Sequence, residues 1–190
     1  MMVLRRARFR RTAWKNGGGI THEVIRVPAE GEFNWRLSVA EIERSGPFSD
    51  FTGFSRTMVL LAGGGLTLRD AGGDSHLKSP GDLIQFDGAL RVHCDLSGGP
   101  CTDLNLMVAN AAGAVTACVD DLDAAISMRA AIAQTRIVFA VQGTCAIAAE
   151  NGARAVLETW DAAVLSAADG RIRSTPDVQG TAGRAFIASF

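Results

Sequence analysis

The sequence contains no tyrosine, only three histidines, and no cysteine pair in a CxxC arrangement. A divalent metal needs three or four converging nitrogen, oxygen or sulfur ligands. The histidines stand in separate parts of the chain, at His22, His76 and His93, and no HxH pair occurs. The histidine count therefore argues against a metal site, and the absence of CxxC argues against structural zinc or dithiol chemistry. The sequence predicts neither a metal nor a cofactor.

The chain also lacks an excess of charge and long apolar runs. Its 190 residues carry a formal charge of −1, whereas a nucleic-acid-binding surface needs basic side chains to neutralise phosphates. No apolar stretch approaches the roughly 20 residues that span a bilayer, and the first arginines are not followed by the apolar core of a signal peptide. We therefore expect a cytoplasmic protein that binds neither nucleic acid nor membrane, with its four cysteines as free thiols.

Glycine is abundant, with 21 residues, and it separates short runs of alternating apolar residues such as 57–61, 66–68, 83–86 and 137–141. Many short strands with evenly spaced turns indicate an all-β barrel or sandwich. The alanine-rich stretch 120–134 is the one candidate for a helix or ordered linker, and a further strand and loop is the alternative. The arginines between residues 5 and 11 are expected to face water on an N-terminal edge strand.

An internal repeat is visible when residues 58–88 are laid over residues 137–167 without a gap. Four identical pairs then lie 79 residues apart: Val59 and Val138, Gly64 and Gly143, Gly73 and Gly152, and Asp82 and Asp161. The run Ser79-Pro80-Gly81-Asp82 before a strand also resembles the second cupin motif. We therefore predict two tandem cupin-like jelly-roll barrels, a bicupin, with the first barrel over residues 1–110, the second over 111–190, and both in one compact unit. Chance similarity between two glycine-rich β segments is the alternative.

Three segments, 14–23, 33–40 and 103–107, carry polar residues among apolar ones. Alternation along a strand puts Arg36 and Ser38 on the face opposite Trp35, and it puts Asp103 and Asn105 on one face. Such a face is either solvated or lines a polar cavity. The sequence alone leaves both open.

These segments resemble, in the same order, the HutD/Ves family. The resemblance covers Phe9 to Met107 strongly and rests on four motifs: Trp-Lys-Asn-Gly-Gly-Gly-x-Thr-x-Glu from Trp14, Trp-Arg-x-Ser-x-Ala from Trp35, Gly46-Pro47-Phe48-Ser49, and Asp-Leu-Asn-Leu-Met from Asp103. The segments Phe54–Thr57 and Phe86–Gly88 also fit. The chain departs from the pattern at Thr52, where a proline is usual, and at Ser55, where an aspartate is common. Val108-Ala109-Asn110 replaces the usual basic ending.

The resemblance implies a bicupin without an assigned reaction that is linked to histidine utilisation. It implies binding of a pathway intermediate, urocanate or N-formylglutamate, and restraint of pathway induction. Arg36 and Lys15 could pair with a carboxylate, while Asn16, Ser38 and Asn105 could orient the ligand. The predicted ligand-binding residues, in the first barrel, are Lys15, Asn16, Trp35, Arg36, Ser38, Arg56, Phe86, Asp103, Asn105 and Met107. No catalytic residue is predicted.

Two other functions stay open. The first is a metal-independent enzyme acting on a small carboxylic acid, with Glu23, Asp103, His22 or His93 as acid and base. A titratable pair with shifted pKa values inside the cavity would favour it. The second is an interaction module that uses the second barrel as a docking surface, with a homodimer as the expected assembly.

Overall fold

The computed structural model describes residues 1–122, 127–128, 135–175 and 183–190. Over this part of the chain there are nineteen strands and three short 3-10 helices, so the prediction of an all-β fold is confirmed. No helix among the described residues is long and apolar enough to cross a membrane. The candidate helix at 120–134 begins as strand, and most of the rest of it lies outside the described residues.

The chain divides into two units. We call Phe9–Ala114 the N-terminal unit, and Met1–Arg8 together with Val115–Phe190 the C-terminal unit. The first eight residues belong to the C-terminal unit because strand β1 (Met2–Leu4) pairs antiparallel with β17 (Ala162–Leu165). The sequence-based division at residue 110 had placed them in the first barrel.

The N-terminal unit consists of two antiparallel sheets. Its strands are β2 (Arg10–Ala13), β3 (Gly19–Val27), β4 (Trp35–Ile42), β5 (Gly46–Pro47), β6 (Phe54–Gly63), β7 (Leu66–Asp70), β8 (Gly73–Leu77), β9 (Leu83–Asp87), β10 (His93–Leu96) and β11 (Cys101–Ala109), followed by a 3-10 helix at Asn110–Ala112. A six-stranded sheet has the order β2-β3-β4-β11-β6-β9, and a four-stranded sheet has the order β5-β10-β7-β8.

The C-terminal unit also has two antiparallel sheets. Besides β1 and β17 it contains β12 (Thr116–Asp121), β13 (Ser127–Met128), β14 (Arg136–Gln142), β15 (Cys145–Ala149), β16 (Arg154–Leu157), β18 (Ile172–Thr175) and β19 (Arg184–Ser189), with 3-10 helices at Arg6–Arg8 and Ala167–Asp169. The sheet orders are β1-β17-β14-β19-β12 and β13-β18-β15-β16. Because pairing gives separate sheets in each unit, the closed two-barrel arrangement stays a prediction.

Apolar side chains from both sheets meet in the core of each unit. In the N-terminal unit, Met58 and Leu60 of the six-stranded sheet pack in one cluster with Leu77 of the four-stranded sheet. In the C-terminal unit, Val138 of the five-stranded sheet shares a cluster with Ile147 of the four-stranded sheet. Face-to-face packing of two sheets is the arrangement that alternating strands of this kind produce.

The two units repeat the same strand sequence. Strands β7 and β15 begin 79 residues apart, and so do β9 and β17. Asp82 accepts a hydrogen bond from the N–H of Ser79, and Asp161 accepts one from the N–H of Glu158, again three residues earlier. These equivalent contacts confirm the 79-residue offset over this stretch.

The offset differs by one residue in the first strand of the repeat. Thr102 pairs with Ala62 but Asp103 pairs with Leu60, so Leu61 is skipped. In the C-terminal unit Arg184 pairs with Gln142 and Ala185 pairs with Ala140, so Val141 is skipped in the same way. Beside the equivalent strands β9 and β17, this register places Met58, not Val59, at the position of Val138. The gapless overlay is therefore wrong in this strand. A one-residue slip exchanges the two faces of a strand, so it decides which residues correspond inside the units.

The basic N-terminal residues divide between the two units. Strand β2 lies at the edge of its sheet and exposes all of its side chains, including Arg10 and Arg11, as predicted. Arg5 instead pairs with Asp161, with an Nη1 to Oδ2 distance of 2.7 Å, and the guanidinium of Arg6 lies 4.1 Å from the ring centre of Trp160. These two arginines are exposed as expected, but they lie outside the edge strand β2 and have partners in the C-terminal unit.

Candidate functional site

A cavity of about 420 Å³ lies in the N-terminal unit. Seven of the ten predicted ligand-binding residues line it: Lys15, Asn16, Arg36, Ser38, Arg56, Asp103 and Asn105. The other lining residues are Ala13, Trp14, Thr21, Ala40, Ile42, Pro47, Phe48, Ser49 and Phe51. Of the two alternatives for the polar face, a solvated surface or a cavity wall, the structure shows the cavity wall.

Strand register brings the polar side chains together. On β4 and β11, Asn105 lies opposite Ser38 and Met107 lies opposite Arg36. On the other side of β11, Met107 lies opposite Arg56. Because alternate residues share a face, these three neighbouring strands form rows of polar side chains at one end of a sheet face whose other end is apolar.

Arg56 is a buried cation held by aromatic rings. The residue is only 4% exposed. Its guanidinium carbon lies 5.2 Å from the ring centre of Phe48, 5.5 Å from that of Phe51 and 4.8 Å from that of Phe86. Its Nε has no hydrogen-bond partner among the described residues. Burial lowers the pKa of Arg56 to about 10, although nearby Asp103 acts in the opposite direction. The group is therefore charged at neutral pH.

Arg36 is held in a similar way. Its Nη2 donates to Sδ of Met107 at 3.5 Å, and its guanidinium carbon lies 5.1 Å from the ring centre of Phe33 and 5.6 Å from Phe51. Burial lowers its pKa. Over the described residues, neither this arginine nor Arg56 forms an ion pair with a carboxylate. Both cations are thus fixed in place without being neutralised by a direct contact.

Asp103 is the buried acid of the cavity. The residue is 1% exposed, and neither carboxylate oxygen has a hydrogen-bond partner in the described part of the chain. Burial raises the pKa of Asp103 to about 7, against the opposing effects of Arg56 and of the nearby backbone N–H groups of Asp103 and Ala40. Asn105 Oδ1 is likewise buried without a partner. The cavity therefore presents acceptors as well as cations.

Three predicted residues lie outside the cavity lining. Phe86 and Met107 contact Arg56 and Arg36 and so support the arginines rather than facing the space. Trp35 is buried and is one residue away from Arg36 along the strand, so it belongs to the opposite face. The aromatic residues that do line the cavity are Trp14, Phe48 and Phe51.

Sequence reasoning missed several lining residues. Trp14 lines the cavity and donates from Nε1 to Oγ1 of Thr21 at 2.8 Å. Trp14 and Phe48 both belong to motifs on which the family resemblance rests. Membership of those motifs could have identified them as candidate site residues. Phe51, which lies near both cavity arginines, stands outside those motifs and had no such signal.

The histidines are spread over separate contacts. His22 Nε2 lies 2.8 Å from Oε1 of Glu41, and His93 Nε2 lies 3.4 Å from Oδ1 of Asp95. The exposed His76 shares a hydrogen bond with Thr67. No histidine lines the cavity, and no three His, Cys, Asp or Glu side chains converge in the described ranges. Of the four candidate acid–base residues, only Asp103 lines the cavity.

The C-terminal unit has a different interior at the equivalent positions. Asp103 and Ala185 both follow the irregularity in the strand register, and Asn105 and Ile187 both lie two residues further on. The positions of the two buried polar acceptors in the N-terminal unit are therefore occupied by an alanine and an isoleucine in the C-terminal unit.

A buried arginine is present in both units, with different surroundings. The same register places Arg136 at the position of Arg56. Arg136 donates from Nη1 to the carbonyl of Gly170 at 2.6 Å and from Nη2 to the carbonyl of Ser166 at 2.7 Å. Arg136 thus has two backbone acceptors, whereas Arg56 lies among three phenylalanine rings, with Asp103 nearby but not in direct contact. This contrast supports the N-terminal unit as the location of the site.

Comparison with known proteins places the chain in a family. The HutD family matches residues 6–185. An uncharacterized 21.2 kDa protein from the hutC 3′ region of Pseudomonas putida is 43% identical over 111 residues, which cover 57% of this chain and 58% of that protein. Protein Ves of Citrobacter koseri is 38% identical over 96 residues, covering 50% of each chain. The chain thus spans little more than half the length of the curated relatives it matches.

Solved structures match over nearly the whole chain. A conserved protein of unknown function from Pseudomonas aeruginosa PAO1 has a TM-score of 0.84 with 28% identity, covering 98% of this chain and 96% of that one. HutD from Pseudomonas fluorescens SBW25 has a TM-score of 0.77 with 29% identity, covering 99% and 97%. A cupin 2 conserved barrel domain protein from Leptotrichia buccalis, at 9% identity and a TM-score of 0.60 over 93% and 91%, shows that the fold is cupin-like. This chain belongs to the HutD family.

Proposed function

We propose that this protein is a non-catalytic small-molecule-binding and regulatory protein that takes an anionic intermediate of histidine degradation, urocanate or N-formylglutamate, into the cavity of the N-terminal unit. The observation that carries the proposal is the pair Arg36 and Arg56. Both face one cavity, and neither forms an ion pair with a carboxylate of the described residues. A guanidinium group matches a carboxylate in shape and can donate two parallel hydrogen bonds to it.

The cavity suits a small ligand in size and composition. A volume of about 420 Å³ is within the usual range for small-molecule sites, which combine apolar walls with a few polar groups. Phe48 and Phe51 supply apolar surface, while Lys15 and Asn16 add polar groups to the wall. Regulation follows if binding withdraws the intermediate from the pool that induces its own degradation.

Isothermal titration with urocanate, N-formylglutamate and histidine tests the proposal. We expect heat of binding with at least one of the two intermediates. Arg36→Ala should weaken that binding at least tenfold, because truncating one partner of a buried charge pair costs about 2–5 kcal/mol. Arg56→Lys should weaken it as well, since a lysine keeps the charge but loses the paired donors.

The matched control is Arg69→Ala, which removes an exposed arginine that already pairs with Asp74 and Asp95. It should leave the affinity unchanged. Absence of heat with all three compounds would overturn the proposal, and an equal loss in the control would show that the effect of Arg36→Ala is not local.

One observation favours the alternative of a metal-independent enzyme. Burial raises the pKa of Asp103 to about 7, which suits a general acid or base at neutral pH. The other ionisable lining residues among those described are Lys15, Arg36 and Arg56, which suit the binding of an anion, and none of the other candidate acid–base residues lines the cavity. Incubating each intermediate with the protein for hours and following it by proton NMR decides between the two, and any catalytic conversion would reverse our preference for binding.

A further inference from the structure

Two buried residues offer acceptors to the cavity with no donor to meet them. Both oxygens of Asp103 and Oδ1 of Asn105 lack a hydrogen-bond partner among the described residues, and both residues line the cavity. A buried acceptor without a donor is costly, and for a carboxylate the cost is larger than for a neutral group. An arrangement of this kind is stabilised when a ligand supplies the missing donor.

The neighbouring cation does not supply it. Arg56 influences Asp103 electrostatically, yet its guanidinium is within ion-pair distance of no carboxylate in the described ranges. It lies among phenylalanine rings instead. Across the strand from Asp103 stands Ala40, whose side chain carries no donor. The backbone N–H groups of Ala40 and Asp103 favour the carboxylate form, but neither oxygen of Asp103 has a hydrogen bond of normal geometry to a described residue. The acceptors thus remain available to a molecule in the cavity.

We propose that Asp103 is the specificity-determining residue of the site, and that it selects, among the anions that the two arginines bind, those that also present an N–H or O–H donor. The inference rests on the proposed function, because the arginines must first hold an anion. It names the ligand class more narrowly as an anion with a hydrogen-bond donor a few bonds from its carboxylate. Anions without a donor would bring a second acceptor towards the Asp103 carboxylate and be rejected.

The environment of Asp103 supports selection by a donor rather than by charge alone. The cations that line the same cavity are Lys15, Arg36 and Arg56. In the opposite sheet, burial and then the charge of Asp103 raise the pKa of the Cys94 thiol. When Asp103 is ionised, it accepts from a ligand N–H. An ester oxygen in the place of that N–H cannot donate to Asp103. The Asp103 carboxylate cannot move away from it, because β11 is paired with a strand on each side.

A pair of nearly isosteric probes tests the inference by titration calorimetry at pH 8. N-acetylglutamate and O-acetyl-2-hydroxyglutarate differ only in an N–H against an oxygen, and glutarate serves as the plain dicarboxylate. We expect the wild-type protein to bind the amide about 10- to 100-fold more tightly than the ester. Asp103→Leu should bring this ratio close to one, and Asp103→Asn, which keeps one acceptor, should give an intermediate ratio.

The control is Asp74→Asn, a change at an exposed carboxylate outside the cavity, which should leave the ratio unchanged. Thermal unfolding checks that each variant is folded, and the selectivity ratio is a readout that a purely structural role of Asp103 would not alter. Equal binding of amide and ester by the wild-type protein overturns the inference and leaves the proposed function standing. If none of the three probes binds although urocanate or N-formylglutamate does, the inference fails and the proposed function stands. If neither intermediate binds, the proposed function fails as well.

Discussion

At the scale of single residues, the groups that surround a charged side chain decide whether it can bind a ligand, more than the residue type does. Arg56 and Arg136 occupy equivalent positions in the strand register, and both are buried. Arg136 donates two hydrogen bonds to backbone carbonyls, whereas the guanidinium of Arg56 lies among three phenylalanine rings. The Nε of each has no partner among the described residues. Asp103 differs in the same way from a structural acid such as Asp161, which accepts from the N–H groups of Arg6 and Glu158.

The raised pKa of Asp103 predicts a pH-dependent stability. Burial moves this pKa from 3.8 to about 7 in the folded protein, so the folded state retains a proton that the unfolded state has lost. The contribution is fully present below the unfolded pKa and is lost as the pH rises through 7. Between pH 5 and pH 8, the free energy of unfolding should therefore fall by up to about 3 kcal/mol through this group.

Urea unfolding of the wild-type protein and of Asp103→Asn at pH 5, 6, 7 and 8 measures this effect. The substitution should flatten the decline and make the variant the more stable protein at pH 8, because it removes an ionisable group from the buried site. Asp74→Asn, at an exposed carboxylate, should keep the wild-type slope. Parallel slopes for the wild-type protein and Asp103→Asn would contradict the prediction.

At the scale of elements, the turn before β9 and the turn before β17 are equivalent but are built from different residues. The N–H of Gly81 donates to the carbonyl of Leu60, and the N–H of Trp160 donates to the carbonyl of Ala140. Gly81 has a φ of 95° and Trp160 a φ of 73°, so both adopt the left-handed conformation. Glycine adopts it freely, whereas for other L-residues it costs roughly 1–2 kcal/mol.

Substitutions at Trp160 should therefore reverse the usual order of glycine and alanine. Both Trp160→Gly and Trp160→Ala lose the packing of the Arg6 guanidinium on the ring, but only the glycine relieves the backbone. We expect Trp160→Gly to be more stable than Trp160→Ala by about 1 kcal/mol in urea unfolding. Gly81→Ala in the N-terminal unit should be destabilising for the same reason. An alanine variant as stable as the glycine variant would show that the turn relaxes on substitution.

At the scale of the whole molecule, one unit holds the candidate site and the other has apolar residues at the positions of the two buried acceptors. The positions of Asp103 and Asn105 are taken by Ala185 and Ile187 in the C-terminal unit, whose core cluster contains both Ala185 and Ile187. A repeat that keeps its strands but not its polar residues has a structural role or offers a surface to a partner. The expected partner for that surface is a second copy of the chain.

A homodimer is the corresponding prediction. Among the described residues, three large apolar side chains are exposed, and two of them, Met2 and Val156, belong to the C-terminal unit. Val156 is 52% exposed on the edge strand β16. Size-exclusion chromatography with light scattering should give the mass of a dimer that dissociates on dilution, and Val156→Asp should favour the monomer. Leu90→Asp, at an exposed apolar residue of the N-terminal unit, is the matched control. A monomer at every concentration would contradict the prediction.

The sequence by itself determined the strands, the repeat, the family and seven of the sixteen residues that line the cavity. These follow from local patterns: two-residue alternation selects the inward face, and glycines allow the turns, so Arg36, Ser38, Asp103 and Asn105 could be assigned to one wall. Alternation alone did not show that this wall encloses a cavity, and the gapless overlay missed the one-residue shift because only pairing between strands reveals it.

Tertiary structure alone decided which charged groups are available. Arg136 is satisfied by carbonyls 30 and 34 residues away in the chain, and Phe51 approaches Arg36 and Arg56 from a loop with no motif of its own. The pKa of Asp103 depends on burial between two neighbouring strands. Burial and hydrogen-bond satisfaction are properties of distant neighbours in space, and no local pattern of residues encodes them.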